Sequence, residues 1–457
     1  MTVEQIERVE HRFVKPELER ADPDRLRALQ WAKLKPLLEK TGAVNEFFRE
    51  HWRAAGADPA KLSGLEDFAA AIPTVEKQDF IRDQAADPPY GLRHRHVLAQ
   101  DMPLITMTSS GTSGMGVEVH LQTNEDLANH NRVHEFYFAW AGMRRADRTF
   151  LTMHVSLLAG GRGEYHAAVD YGLSVFPVAF YDTAQRLDLA KRFRPRALYG
   201  TTSYFGHLGA VAGEAVGQLG IELLLTGAEA ASIAWFEKLQ RQFGARAADR
   251  YGLTQMAVDH MFTCERGIGT RQRPGILHNI EPYVLLEVID PATGRHVADG
   301  EAGEIVVTSL YRSDVPMIRC RTRDRAVYRA PGSCPCGRSW GGVELGSIGR
   351  IDDMKKIKGI NVWPQAVDEL MFGNPEVDEY QVLLSTDDRA ADVATVRIMP
   401  PSPLSEARCA ALAESLTREL RHKIGIGCVV EVVQPGGFER SDYKARRWID
   451  RRAQIVA

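Results

Sequence analysis

Residues 106–116 read TMTSSGTSGMG, a run of hydroxyl side chains with Gly111 and Gly114 set between an apolar lead-in and an alternating segment. The pattern predicts strand, loop, strand. Hydroxyl donors, and glycine backbone that can approach an anion closely, suit a loop wrapped around a polyphosphate. An ordinary Ser/Gly-rich hairpin has the same composition, and both readings stand at this point. A Walker A loop is excluded, because its lysine and following helix are missing. A second set of reactive groups is the C-x-C of Cys334 and Cys336 in a Gly/Pro-rich loop, with Cys264 and His278 upstream. Three thiolates and an imidazole form a closed tetrahedral donor set of the structural zinc type. The alternative is a reduced loop beside two unrelated core residues. Cys320, Cys409 and Cys428 lack such partners and are expected to be buried and inert.

The elements that must position these groups follow from periodicity. Residues 1–100 read as mostly helical, with one apolar stripe through Leu26, Leu29 and Leu34, and Pro36 is expected to end or kink that helix. From 100 to about 230, strand-like runs (150–155, 173–180, 197–200, 221–225) alternate with helix-like ones (183–192, 204–219, 231–243). That alternation predicts an α/β domain with a largely parallel sheet. A β-rich, antiparallel or barrel-like subdomain is expected near 283–348. Residues 352–457 read as a separate small α+β domain, leaving 1–351 as the large one.

The chain has 457 residues and a formal net charge of −3, so nothing in its electrostatics argues for nucleic acid or an anionic membrane. The charged N-terminus lacks the apolar core of a signal peptide, and no apolar run approaches the ~20 residues of a membrane span. A cytoplasmic protein is expected, and six cysteines are too few for a disulfide framework.

Five further stretches accompany the opening loop in a fixed order: LLLTGAE at 223–229, YGLTQ at 251–255, RCRTRD at 319–324, GRIDD at 349–353 and SDYKARR at 441–447. In this order the set resembles the adenylate-forming superfamily, over roughly residues 70–450. The phenylacetate-CoA ligase branch is the best match, on Pro316, Met317 and Ile318 before Arg321 to Asp324, on GINVWP at 359–364, and on the cysteine pattern, which some members share as a zinc site. Arg323 stands where most of the superfamily has glycine.

The resemblance implies a large adenylate-forming domain and a small mobile one. It implies that Thr108, Ser109, Ser110, Gly111, Thr112 and Gly114 cover the phosphates of ATP, and that Gly227, Ala228 and Glu229 border the adenine. Tyr251 and Gly252 would flank the base, Thr254 would touch the phosphate, and Asp324 would accept both ribose hydroxyls. Arg350 would lie near the ribose, Asp352 would be the interdomain hinge, and Lys444 the catalytic cation between carboxylate and α-phosphate. Without the resemblance, Asp324 reads as a paired surface carboxylate, Lys444 as part of a basic face, and Tyr251 as core.

Two departures stand out. Met115 and Gly116 occupy positions where the family usually has lysine and proline, and Gln255 replaces a glutamate that helps bind Mg²⁺. The acyl pocket is expected to draw on Tyr137, Ala159, Gly160 and Tyr165, within segments whose ionisable groups favour a polar-substituted aromatic acid. The implied function is an AMP-forming ligase using ATP, Mg²⁺ and coenzyme A. The alternatives are transfer of the adenylate to a carrier protein in trans or to an amine, and a non-catalytic ligand-binding descendant. A homodimer is expected by analogy.

Overall fold

The computed structural model describes residues 12–109, 116–387, 391–438 and 445–452. Its centre is a five-stranded, wholly parallel sheet in the order Ser174–Pro177, Arg148–Leu151, Ala197–Tyr199, Leu223–Leu225, Arg246–Ala248. These strands are short apolar runs linked by helices, including Thr183–Phe193 and Thr202–Ala212, as the alternation predicts. The order of the strands reverses beside the first one. In open α/β sheets, ligands bind outside the carboxyl ends of the strands at such a switch point.

The second layer is an eight-stranded sheet, its strand pairs antiparallel throughout. It is wider than the change of texture at 283 implies, because Arg250–Leu253, Val258–Thr263 and Ile276–Asn279 join it. A separate hairpin, Leu104–Thr108 with Val119–Thr123, brackets the hydroxyl-rich loop. The small α+β domain is a four-stranded sheet, with Glu379–Thr386 and Asp392–Met399 at its centre and the helices Pro364–Gly373 and Glu406–Lys423 against it.

Local expectations fail in a few places. The helix Pro23–Val44 does not end at Pro36 but continues past it, with Leu34, Leu37 and Leu38 buried on either side. The helix expected over 204–219 ends at Ala212, where Gly213 turns to φ +55° and a 3₁₀ segment takes over. The first central strand ends at Leu151 instead of running to 155, and residue 180, expected within a strand, is an exposed Phe180. Cys320 is buried as expected, whereas Cys409 and Cys428 are only half-buried.

The small domain docks on the helix Ile233–Phe243, whose Trp235 packs on Phe372 at 4.3 Å between ring centroids. Arg447 lies over both rings, 4.7 Å from Phe372 and 5.1 Å from Trp235, and pairs with Glu379 at 2.7 Å. Around this apolar contact, Lys238 meets Asp378 at 2.7 Å and Arg271 reaches Glu237 and Glu369 at 3.1 and 3.2 Å. These rim pairs are partly exposed, so they orient the domain more than they stabilise it. Lys238→Ala with Arg271→Ala should therefore raise the radius of gyration above the roughly 22 Å of a compact chain this long. Small-angle scattering reads that change, and the unfolding midpoint should move by less than about 3 °C.

Candidate active site

Three strand ends of the parallel sheet meet at one buried side chain. Arg250, two residues beyond the fifth strand, donates to the Thr226 carbonyl at 2.7 Å, to Asp259 at 2.6 Å and to Glu164 at 3.0 Å, and lies 4.6 Å over the Tyr199 ring. Gly227 passes so close that a Cβ there would sit 2.5 Å from the Arg250 Cγ. Tyr137 supports the same turn from behind, its hydroxyl donating to the carbonyls of Ala248 (2.9 Å) and Thr226 (3.3 Å). Asp249, fully buried and bonded to Thr226 Oγ1 at 2.6 Å, is pushed by burial up to about 7.

Beyond this turn lies a cavity of about 590 Å³ between the large and small domains. It collects Ala228, Glu229, Tyr251, Gly252, Thr254, Gln255, Asp324 and Arg350, eight of the residues singled out in the sequence. Ala228 holds the left-handed conformation (φ +66°) that turns the chain at the strand end. Glu229 reaches back to the N-terminus of the preceding helix Thr202–Ala212 instead of facing the cavity freely, accepting from Thr202 Oγ1 (2.7 Å), Ser203 N (2.5 Å) and Ser203 Oγ (2.9 Å). A register shift between Tyr251 and Gly252 re-aims the strand, a device common beside active sites. The Tyr251 hydroxyl then donates to Asp324 at 2.7 Å. Burial raises the Asp324 carboxyl despite nearby Arg350, which is 3.4 Å away.

Arg350 also donates to Asp352 at 3.1 Å, and Arg323 holds the other oxygen of Asp352 at 2.8 Å. Burial opposes the charge on Asp352, but Arg323 and Arg350 outweigh it and keep the carboxyl below its usual range. Arg323 has φ +63°, the left-handed region that favours glycine. That explains why glycine suits this position elsewhere in the superfamily. Lys444 lies outside the described residues, and residues 445–448, which follow it directly, line the cavity.

At the foot of the hydroxyl-rich loop, Ser109 N donates to the Glu118 carbonyl and Glu118 N donates to Ser109 Oγ, both at 3.0 Å. Ser110, Gly111, Thr112, Gly114 and Met115 lie outside the described residues. The Glu118 carboxylate, with no exposed surface, accepts from Gln255 Nε2 at 2.9 and 3.0 Å and has Lys77 at 3.4 Å and His120 at 3.5 Å. Burial opposes ionisation of Glu118, but His120, Gln255 and Lys77 together hold it down at about 2. Arg312 completes the tie, donating to the Gln255 carbonyl (2.8 Å) and the Leu121 carbonyl (2.7 Å).

A smaller cavity of about 180 Å³ shares Ala228, Gly252, Leu253 and Thr254 with the first. Ala159 and Gly160, expected in the acyl pocket, line it, and so does Thr108, expected at the phosphates, together with His130, Met153, Glu164 and Asp259. Tyr137 and Tyr165, expected in its wall, are not there: Tyr137 is committed to the core, and Tyr165 lies edge-on to His166. The wall is a helix, Ala159–Tyr171, bent at Gly160 and Gly161. Gly161 (φ +80°) admits no side chain, since a Cβ would lie 2.1 Å from the His154 carbonyl.

With this geometry in place, similarity to known proteins becomes informative. Residues 39–311 match the AMP-binding enzyme family and residues 359–452 the AMP-binding enzyme C-terminal domain. The phenylacetate-coenzyme A ligase of Thermus thermophilus is 30% identical over 462 residues, covering 96% of this chain and 99% of its own. The chain is an adenylate-forming enzyme. More specifically, it is an AMP-forming acid–thiol ligase close to the phenylacetate-CoA ligases. Among solved structures, 2-hydroxyisobutyryl-CoA ligase in its postadenylation state with R3-HIB-AMP is 26% identical, covers 98% of this chain and 94% of that one, and superposes with a TM-score of 0.86. The same enzyme in its thioesterification state, covering 95% of this chain and 91% of that one at the same 26% identity, gives 0.67. The domain arrangement of this ligase therefore superposes better on the postadenylation form than on the thioesterification form.

The ligase also assembles the four residues of the predicted metal set. Cys264, His278, Cys334 and Cys336 are all buried, and their ligand atoms lie within 4.8 Å of one another. Cys264 and Cys334 have sulfurs 3.9 Å apart, and Cys336 Sγ is 3.6 Å from His278 Nε2. Sulfur at about 2.3 Å and imidazole nitrogen at about 2.0 Å around tetrahedral zinc give edges of about 3.8 and 3.5 Å. His278 Nδ1 donates to the Trp340 carbonyl at 3.0 Å, which leaves Nε2 a lone pair for the metal. Next to the cluster, buried Arg338 joins Glu19 (2.8 Å) to Glu265 (2.7 Å) and lies 4.3 Å over Trp140.

Sequence reasoning missed Arg250, Glu118, Arg312, Asp259 and His130. Arg250 directly precedes Tyr251, and His130 and His134 share one helix face at i, i+4, the signals that were available. A still larger cavity, about 840 Å³ between the N-terminal helices and the antiparallel sheet, contains none of the predicted residues.

Restoring the family's glutamate with Gln255→Glu would set two buried carboxylates face to face. In the wild type, the low Glu118 carboxyl stabilises the fold fully above pH ~4.5, and the effect is lost as the pH falls toward 2. In Gln255→Glu, at least one carboxyl is forced above the unfolded value, so the variant should be less stable at pH 7 and recover relative to wild type toward pH 5. Thermal unfolding across that range checks the sign, and activity should fall instead of rising.

Proposed function

We propose that this acyl-CoA ligase activates a compact carboxylic acid, one substituted aromatic ring in size, with ATP, and passes the acyl group from AMP to coenzyme A. The observation that carries this reading is the 180 Å³ cavity opening on the nucleotide cavity through Ala228, Gly252, Leu253 and Thr254. About 150 Å³ suffices to hold benzene, and a long acyl chain does not fit. Full-length similarity to phenylacetate-CoA ligases supports an aryl acid. A second reading, a small branched hydroxy acid, is favoured by the polar wall and by similarity to 2-hydroxyisobutyryl-CoA ligase.

In this reading Asp324 accepts from the ribose, with Tyr251 and Arg350 fixing its oxygens, and the Gly227–Ala228 turn lies along the base. The hydroxyl-rich loop from Thr108 covers the phosphates. Mg²⁺ arrives with the triphosphate and screens its charge. Gln255, turned to Glu118, offers at most a neutral amide oxygen to that ion. Lys444 neutralises the charge that builds as the carboxylate approaches the α-phosphate. Asp352, with the domain boundary beside it, serves as the hinge about which the small domain turns to admit the thiol.

Lys444→Ala should lower acid-dependent pyrophosphate release about 10²–10³-fold across a panel of aryl and alkyl acids, and wild-type turnover should become steady only with CoA. Early stalling with or without CoA would transfer the reading to a carrier-protein or amine acceptor.

The Cys264, His278, Cys334 and Cys336 set would hold a structural zinc, closing the loop on the antiparallel sheet. Metal analysis should find about one zinc per chain. Cys336→Ser should release it and lower the unfolding midpoint by about 5–15 °C.

A further inference from the structure

His130 lines the acyl cavity and has a ring nitrogen that the described residues leave without a partner. His130 is 3% exposed, and its Nδ1 lies 2.9 Å from the Ala257 carbonyl, which can only accept. The proton is therefore on Nδ1, and Nε2 carries a lone pair. That Nε2 is buried and has no hydrogen-bond partner among the described residues. Burial, reinforced by neighbouring His134, holds the imidazole down at about 3, so the ring stays neutral at working pH. Its plane is fixed by stacking on His134 at 4.4 Å and 8°. Room for it depends on Gly163, where a Cβ would come within 2.6 Å of the ring.

The two carboxylates of the wall are engaged. Glu164 accepts from Arg250 and from the Gly161 amide, and Asp259 accepts from Arg250 with His134 at 3.4 Å. A buried acceptor left without a partner is destabilising, and a bound ligand can supply the missing donor. We infer that His130 Nε2 is a specificity-determining acceptor of the acyl cavity, and that the acid carries a hydroxyl or amino group that donates to it. This rests on the 180 Å³ cavity being the acyl site, and it specifies the chemistry of the group bound there.

The test uses acyl-sulfamoyl adenosines, unreactive mimics of the acyl-adenylate, in pairs differing by one hydroxyl: 2-hydroxybenzoyl with benzoyl, and 2-hydroxyisobutyryl with isobutyryl. Calorimetry on the full chain should find at least one hydroxyl-bearing member bound about 10–100-fold more tightly than its partner. His130→Leu should reduce that ratio to within about threefold, and His130→Gln, which keeps an acceptor, should restore part of it. Unchanged AMP affinity shows that each variant is folded with its nucleotide site intact. A wild type without hydroxyl preference in either pair, or a preference that survives His130→Leu, overturns the inference. If aryl members bind no better than alkyl ones while the preference follows residue 130, the aromatic reading fails and this one stands. If aryl members bind best without any hydroxyl preference, the reverse holds. Binding of AMP but of no analogue overturns both.

Discussion

The site depends on a positive charge kept dry. Arg250 has no exposed side-chain surface, yet its guanidinium is shared between two carboxylates and a carbonyl from three separate parts of the chain. Removing a single partner from such a buried set costs about 3–5 kcal/mol, because the remaining charge has nowhere to go. The fork geometry matters as much as the charge. Each arm sets one wall: the nucleotide turn at Thr226, the kinked helix at Glu164 and the strand that carries Asp259. With its charge neutralised locally, Arg250 contributes little attraction for a substrate anion. It fixes where the two cavities meet, and a lysine, with a compact ammonium, could not hold three walls at once.

A second guanidinium links binding to movement. Arg350 donates to both Asp324 and Asp352, so the carboxylate assigned to the ribose and the proposed hinge draw on one cation. Arg323 grips Asp352 from the other side while holding a left-handed backbone that costs a non-glycine residue about 1–2 kcal/mol. Where other members have glycine they avoid that strain and lack the grip. In this chain Asp352, the proposed hinge, is held by two ion pairs, and turning the small domain about it would require breaking or re-forming them.

Much of the framework was legible in the sequence. Alternating apolar runs and helical stripes place the parallel sheet, and the order of short motifs locates eight residues that line one interdomain cavity, because those motifs are local and their backbone turns are written in small residues. The spacing of Cys334 and Cys336 points to the metal set for the same reason. The smaller cavity, proposed for the acyl group, was legible only in part. Ala159 and Gly160 are in its wall, but Tyr137 faces the core, because which face of a helix looks inward depends on the strand ends beneath it. His130, Glu164 and Asp259 come from elements about 30 to 130 residues apart; Glu164 and Asp259 meet through Arg250, and His130 reaches them only through the fold, held by the Ala257 carbonyl and His134. The exchange that makes Gln255 a donor to Glu118 is likewise invisible along the chain, since its meaning lies in a residue more than a hundred positions away.

The buried clasp beside the cysteine cluster has a consequence for how the protein is made. Glu19 leaves the ribosome early, but Arg338, its partner across 319 residues, is synthesised near the end of the antiparallel sheet. At about 5–20 residues per second, Glu19 and the Trp140 indole that donates to it wait roughly 15–65 s and 10–40 s for that guanidinium. Cys264 waits likewise for Cys334, 70 residues on. The start of the chain therefore docks among the last events of synthesis, and until then a carboxylate destined for the interior must remain in water.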